Sequence, residues 1–179
     1  MANDVTLRLL KLGTDGILST ELKTTDAEVL HITPYRSFPS GITATASKRR
    51  EYIRWSERKN HYIIEDDFES EFTPSKKPQE TVFSLSPGGN VIYINTFTRT
   101  IAPSTRIGYM ILSEKLLAKY DEKASFYSCS VPTIDQYVLA ELINSGDFER
   151  HINRVRRSNR NESKKILLTA KKEIHNDNK

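Results

Sequence analysis

Between His61 and Leu112 the chain holds three short apolar runs, Tyr62 to Ile64, Val91 to Ile94 and Ile107 to Leu112, and the first two each end in a burst of polar residues. Short apolar runs bounded by turn signals suit buried strands of a parallel sheet. Such sheets bind ligands in the crevice beyond the carboxyl ends of their strands. The residues that fall there are Glu65, Asp66 and Asp67 after one strand, Asn95 to Thr100 after the next, and Arg106 just before the third. Acid at one strand end, with hydroxyls and a guanidinium at the other, suits a ligand that carries both a basic ring nitrogen and a phosphate.

These segments also resemble a known family. IIEDDFESEF (Ile63 to Phe72), NTFTRTIAPSTRIGYM (Asn95 to Met110) and HITPYRSFPSG (His31 to Gly41) resemble, in order and spacing, three motifs of the aminotransferase-like domain of MocR-type regulators of the GntR family. That domain has the fold of the type I pyridoxal-phosphate (PLP) aminotransferases. The resemblance runs from about Val5 to Ile174. It implies a three-layer α/β large domain, with a mixed, mostly parallel sheet and helices on both faces, incomplete relative to the family.

The resemblance further implies roles. Asp66 matches the aspartate that pairs with the cofactor's pyridine nitrogen, and Arg106 the arginine that grips its phosphate with a forked, permanently charged donor. Thr96 and Thr98 match hydroxyl positions beside that phosphate. Two positions depart from the pattern. Arg99 stands where the family has its Schiff-base lysine, and a guanidinium stays protonated and is a poor nucleophile. Phe68 stands where a tyrosine hydroxyl would reach the cofactor's ring oxygen. Covalent attachment of the cofactor is therefore expected to be absent, leaving at most noncovalent PLP binding.

The rest of the chain supports one α/β body. Val5, Leu7 and Leu9 alternate and predict a strand over Val5 to Leu12; Thr14 to Gly16 supply a turn, and Ser19 a cap for a short helix. Val29 to Ile32 predicts a strand that feeds the loop carrying Arg36, Phe38 and Pro39, and His31 reads as a strand residue, not a ligand. Ala46 to about Lys59 reads as an amphipathic helix, capped by Thr45 or Ser47, with its basic residues outside. Thr73 to Glu80 reads as a polar loop and Ser86 to Asn90 as a turn. Ser113 is expected to cap a helix over 114–123, and Thr133 to cap another whose Ile134, Val138 and Leu142 mark a buried face. A stripe of Phe148, Ile152 and Val155 continues beyond Gly146, amid Arg150, Arg154, Arg156, Arg157 and Arg160. The tail from Lys171 reads as frayed. Residues 1–145 are thus expected to form a partial large domain, and 146–179 a linking helix and polar tail.

Composition excludes little but is consistent. A net charge of +4 does not single out nucleic acid, and the arginines read as a solvated face. A lone cysteine, Cys129, forms no internal disulfide and no all-cysteine metal site. No signal peptide or membrane span is read, so a cytoplasmic protein is expected. The leading expectation is a truncated, noncatalytic effector-binding domain of a regulator that lacks a DNA-binding domain of its own. It would take PLP or a small amino-acid-like effector, and would pair with itself or a related chain. The alternative is a class I/II aminotransferase acting on amino acids, which would need a lysine from elsewhere.

Overall fold

The computed structural model describes residues 5–58, 60–68, 80–86 and 88–176, with residues 163–176 described by backbone alone. The chain divides into two compact units: 1–68 with 80–96 and 108–128, and 69–79 with 97–107 and 129–179.

The first unit is built on a four-stranded sheet. Strands β3 (Val29–Ile32), β4 (Tyr62–Asp66), β5 (Val91–Thr96) and β6 (Gly108–Ile111) are adjacent in that order. β3, β4 and β5 run parallel and β6 antiparallel. A two-stranded ribbon, β1 (Leu12–Gly13) with β2 (Gly16–Ile17), precedes it. The helices of this unit are α1 (Ser19–Thr24), α2 (Ala46–Arg58), α3 (Val82–Leu85) and α4 (Glu114–Ala124). The expected α/β architecture with a mixed, mostly parallel sheet is present.

Strand alternation gives the sheet two unlike faces. Leu30, Ile32, Ile63 and Val91 are buried, and they share one cluster with Tyr52, Ile53 and Trp55 of α2 and Val82 of α3. Completely burying a side chain such as Ile63 stabilises the fold by roughly 1.5–3 kcal/mol. The opposite face carries His31, Ile64, Asp66, Ile94 and Thr96, none of them fully buried. That face therefore presents polar side chains at the carboxyl end of the parallel strands.

Gly16 has a φ of 128°, and a Cβ there would meet the Tyr52 hydroxyl and lie 2.7 Å from Lys48 Cγ. The same hydroxyl accepts from Ile17 N at 2.8 Å, so it has little room to move. Gly16→Ala is expected to lower stability by about 2 kcal/mol, checked by the midpoint of urea unfolding; an unchanged midpoint would contradict this packing.

The second unit holds α5 (Thr133–Asn144), α6 (Asp147–Asn176) and the loop 97–107. Ile152 of α6 is buried, and Phe148 meets Phe97 edge-on at 5.6 Å between ring centres. Gly146 adopts a φ of 75° between the two helices, where the sequence places the break.

Several local expectations need correction. Residues 5–11 form no strand; Val5, Leu7 and Leu9 are exposed, because no neighbouring strand among the described residues hydrogen-bonds them. Ser19 is the first helical residue of α1 and not its cap; its hydroxyl donates to Glu51 Oε2 at 2.9 Å. Thr133 likewise lies inside α5, with Pro132 at the cap position. Ile134 and Val138 of the expected buried face are exposed, and Leu142 is half-buried. Two basic residues of α2 are buried: Lys48 Nζ reaches Glu51 at 2.8 Å and Ser19 at 2.9 Å, while Arg49 Nη1 donates to Ala44 O at 2.7 Å. The helix α6 continues to Asn176, so residues 171–176, expected to be frayed, are helical. Ser113 caps α4 as expected, its hydroxyl accepting from Leu116 N. The expected loop at 73–79, and Glu69 to Phe72 of the acidic motif, lie outside the described residues.

Candidate functional site

The sequence presents Glu65, Asp66 and Asp67 as one acidic burst, but β4 continues to Asp66 and splits them between faces. Glu65 and Asp67 point inward and are almost fully buried. Glu65 accepts from Val82 N and Phe83 N, both at 2.8 Å, and so anchors the first turn of α3. Burial pushes its carboxyl up to about 7, against the lowering effect of those two amides. Asp67 accepts from the Tyr93 hydroxyl at 2.9 Å, and Asn95 Nδ2 donates to the same hydroxyl at 2.9 Å. Burial, and then the adjacent Asp67 carboxylate, hold the Tyr93 phenol well above its ordinary range, so it remains a donor. These inward groups form a buried polar support beneath the strand ends, which reading the three acids as one cluster overlooks. The signal that could have found it is the strand's period of two.

Asp66 alone of the three turns to the other face. Its Oδ2 lies 3.4 Å from His31 Nε2 on the neighbouring strand, and its side chain is about one third exposed. Asp66 is paired in register with Ile94 of β5, and Thr96 lies two residues further along that strand. Thr96 N donates to Asn95 Oδ1 at 2.6 Å, which ties the end of β5 to the Tyr93–Asp67 support. Phe68 follows Asp66 by two residues and is half-buried. Within the first unit, then, Asp66, Thr96 and Phe68 all fall at the carboxyl ends of adjacent parallel strands, as the sequence predicts.

Thr98, Arg99 and Arg106 belong to the second unit, on the loop 97–107. That loop is closed at its base by Phe97 N donating to Ile107 O at 2.9 Å, and braced by Thr98 Oγ1 donating to Thr105 O at 2.7 Å. His151 Nε2 lies 2.8 Å from Thr100 O. The two arginines are exposed, and Arg106 makes no hydrogen bond or ion pair among the described residues. A guanidinium in that state is available to an anion.

Each unit, taken by itself, carries one part of what noncovalent PLP binding requires. Asp66 offers a partly exposed carboxylate suited to a protonated ring nitrogen, and Arg106 an exposed fork suited to a phosphate. An amine at position 99 is missing. Lys115, the described lysine that follows β6, donates to Asn60 and Asn90, which precede β4 and β5 and so lie at the amino ends. No cluster of three or more metal-ligating side chains occurs among the described residues. No helix among them is long and apolar enough to cross a membrane.

Solved structures place the fold among the fold type I PLP aminotransferases. The fold is similar to that of LysN, the α-aminoadipate aminotransferase of Thermus thermophilus, with a TM-score of 0.76 at 22% identity over 92% of this chain and 44% of that one. It is also similar to the kynurenine aminotransferase of Pyrococcus horikoshii, with a TM-score of 0.71 at 26% identity over 82% of this chain and 38% of that one. The chain belongs to the aminotransferase class I and II family, whose sequence profile matches residues 20–174.

Its relatives include HTH-type transcriptional regulators. YdeL of Bacillus subtilis is 32% identical over 97% of this chain and 37% of its own length. The probable rhizopine catabolism regulatory protein MocR of Rhizobium meliloti is 30% identical over 72% of this chain and 26% of its own. The likeness to MocR-type regulators read from the three motifs is thus borne out. The chain spans little more than a third of the length of YdeL.

Proposed function

We propose that this chain is an effector-binding module of the MocR type that takes PLP, or a small amino-acid-like effector of similar charge, without covalent attachment and without turnover. By motif correspondence, Asp66 pairs with the ring nitrogen, Thr96, Thr98 and Arg106 take the phosphate, and Phe68 offers ring contact without a hydroxyl. The single observation that carries the reading is Arg99 at the lysine position, in a chain that keeps Asp66, Thr96, Thr98 and Arg106. When bound, PLP supplies an electron-withdrawing pyridinium and an aldehyde. This chain's residues supply the rest: Asp66 keeps a negative charge opposite the ring nitrogen, and the loop 97–107 holds the phosphate with fixed donors. No described residue at the strand ends offers a deprotonatable amine. Pairing with a second copy or a related chain is part of the same reading.

The reading is tested by titrating the chain with PLP and following absorbance. Arg106→Ala is expected to weaken binding about tenfold or more, the scale of one lost charge-assisted contact. Equal affinity in the natural chain and the variant would overturn the assignment of the phosphate to Arg106.

A further inference from the structure

The outer edge of β3 and the segment before β1 leave a slot between them. Tyr62 N donates to Glu28 O at 2.9 Å. Alternation along the strand therefore turns the backbone of Leu30 and Ile32 toward β4 and that of Val29 and His31 away from it. Among the described residues no strand pairs with that outward edge. Facing it, residues 5–10 make no backbone hydrogen bond among the described residues, although Val5, Leu7 and Leu9 alternate as a strand does. Arg8 is ion-paired to Asp26 at 3.1 Å, and Leu18 N donates to Lys11 O at 3.0 Å, which ties the segment in place without joining it to β3.

Between the two lies a cavity of roughly 430 Å³, within the range of sites that take ligands. One wall is residues 5–10 and the other residues 29–34, so each is six residues long, about 20 Å when extended. The floor is largely apolar, made by Ile17, Ala44 and Tyr52 of the core. Open backbone on both sides of an apolar trench suits an extended polypeptide, because a strand satisfies both rows of amides while it buries alternate side chains.

We propose that this slot takes one β-strand of a separate polypeptide, about six residues long and alternately apolar, which pairs with β3 on one side and with residues 5–10 on the other. Its inward side chains cover Ile17, Ala44 and Tyr52, and its backbone partners Val29 and His31. A second copy of this chain does not supply the strand, since its own alternating segment is a wall of its own slot and would have to leave it. The site requires no PLP.

The test is fluorescence anisotropy of a labelled peptide in which Thr and Val alternate over six residues between flanking lysines, titrated with the full chain. A control peptide of the same composition, with its three valines consecutive, presents no single apolar face. The alternating peptide is expected to bind saturably and about tenfold tighter than the control, the scale of one apolar side chain left unburied. Thr6→Pro combined with Leu7→Pro removes donors that face both ways from the outer wall. That variant is expected to bind the alternating peptide about tenfold more weakly. Its urea unfolding midpoint is expected to stay unchanged, because residues 5–10 have no backbone hydrogen bond to lose. Equal affinity for the two peptides, or no saturable binding of either, would overturn the proposal. Unchanged affinity in the proline variant would overturn it too, since the edge of β3 would then suffice alone. Sedimentation that shows the natural chain as a dimer, separated by the alternating peptide, would overturn the separate partner and put a second copy in the slot.

Discussion

Glu65→Ala is expected to lower the stability of the chain by about 3 kcal/mol. Glu65 is fully buried and accepts two backbone amides of α3 at 2.8 Å each. Removing it leaves one buried and one partly buried donor unsatisfied, the first at roughly 1–3 kcal/mol, together with a cavity. Urea unfolding at about pH 6 measures this; a loss below about 1 kcal/mol would show that water replaces the carboxylate with little penalty.

The same residue sets a pH dependence of definite sign. Its carboxyl is raised from 4.5 to about 7 in the folded chain, so between those values the native state binds more protons than the unfolded one. Stability from this group is therefore fully present below 4.5 and is lost as pH rises through about 7. The gap corresponds to about 3 kcal/mol at most. Glu65→Gln keeps an acceptor for one amide and removes the ionisation, so its unfolding midpoint should not fall over that window. A natural chain that instead gains stability from about pH 5 to about pH 7 would show that the two amides outweigh burial.

Arg99→Lys is expected to convert reversible binding of PLP into a bond that borohydride makes permanent. A lysine amine in a site that lowers its pKa attacks the aldehyde, whereas a guanidinium does not. Intact mass after borohydride treatment, with peptide mapping, is expected to show a pyridoxyl adduct on residue 99 of the variant and none on Arg99 of the natural chain. If the variant binds PLP but gains no adduct, the loop 97–107 does not bring residue 99 to the aldehyde, and the motif correspondence fails at that position.

The strands were the most legible part of the chain, because each apolar run is short and closed by turn residues. β3 spans the predicted Val29 to Ile32, and β4 and β5 run two residues further than their apolar cores, with Asp66 and Ile94 paired in register. Helix α2 was legible from its spacing, but the burial of Lys48 and Arg49 was not. Lys48 is held by Ser19, far off in sequence, and Arg49 by the carbonyl of Ala44, and a helical period announces neither. The N-terminal alternation of Val5, Leu7 and Leu9 shows the limit of pattern reading. Alternation says which side chains share a face, but a strand also needs a neighbour for its backbone. The apolar stripe of α5 teaches the same lesson, since spacing marks a face that favours burial and cannot say what covers it.

At the candidate site, motif position is what singles out Asp66, Thr96, Thr98 and Arg106, while the chemistry beneath them comes from strand geometry. Taking Glu65, Asp66 and Asp67 as one acidic group conceals that adjacent strand residues face opposite ways. A period of two assigns Glu65 and Asp67 to the interior and Asp66 to the opposite face. The diagonal contact with His31 was beyond sequence, because it depends on the register between β3 and β4.

The most direct test of the central claim is equilibrium dialysis of PLP against the natural chain, followed by borohydride and intact mass. The account predicts saturable binding that dialysis reverses completely, is weakened in Asp66→Asn, and leaves the mass of the natural chain unchanged. A pyridoxyl adduct that survives on the natural chain, or the absence of saturable binding, would contradict it.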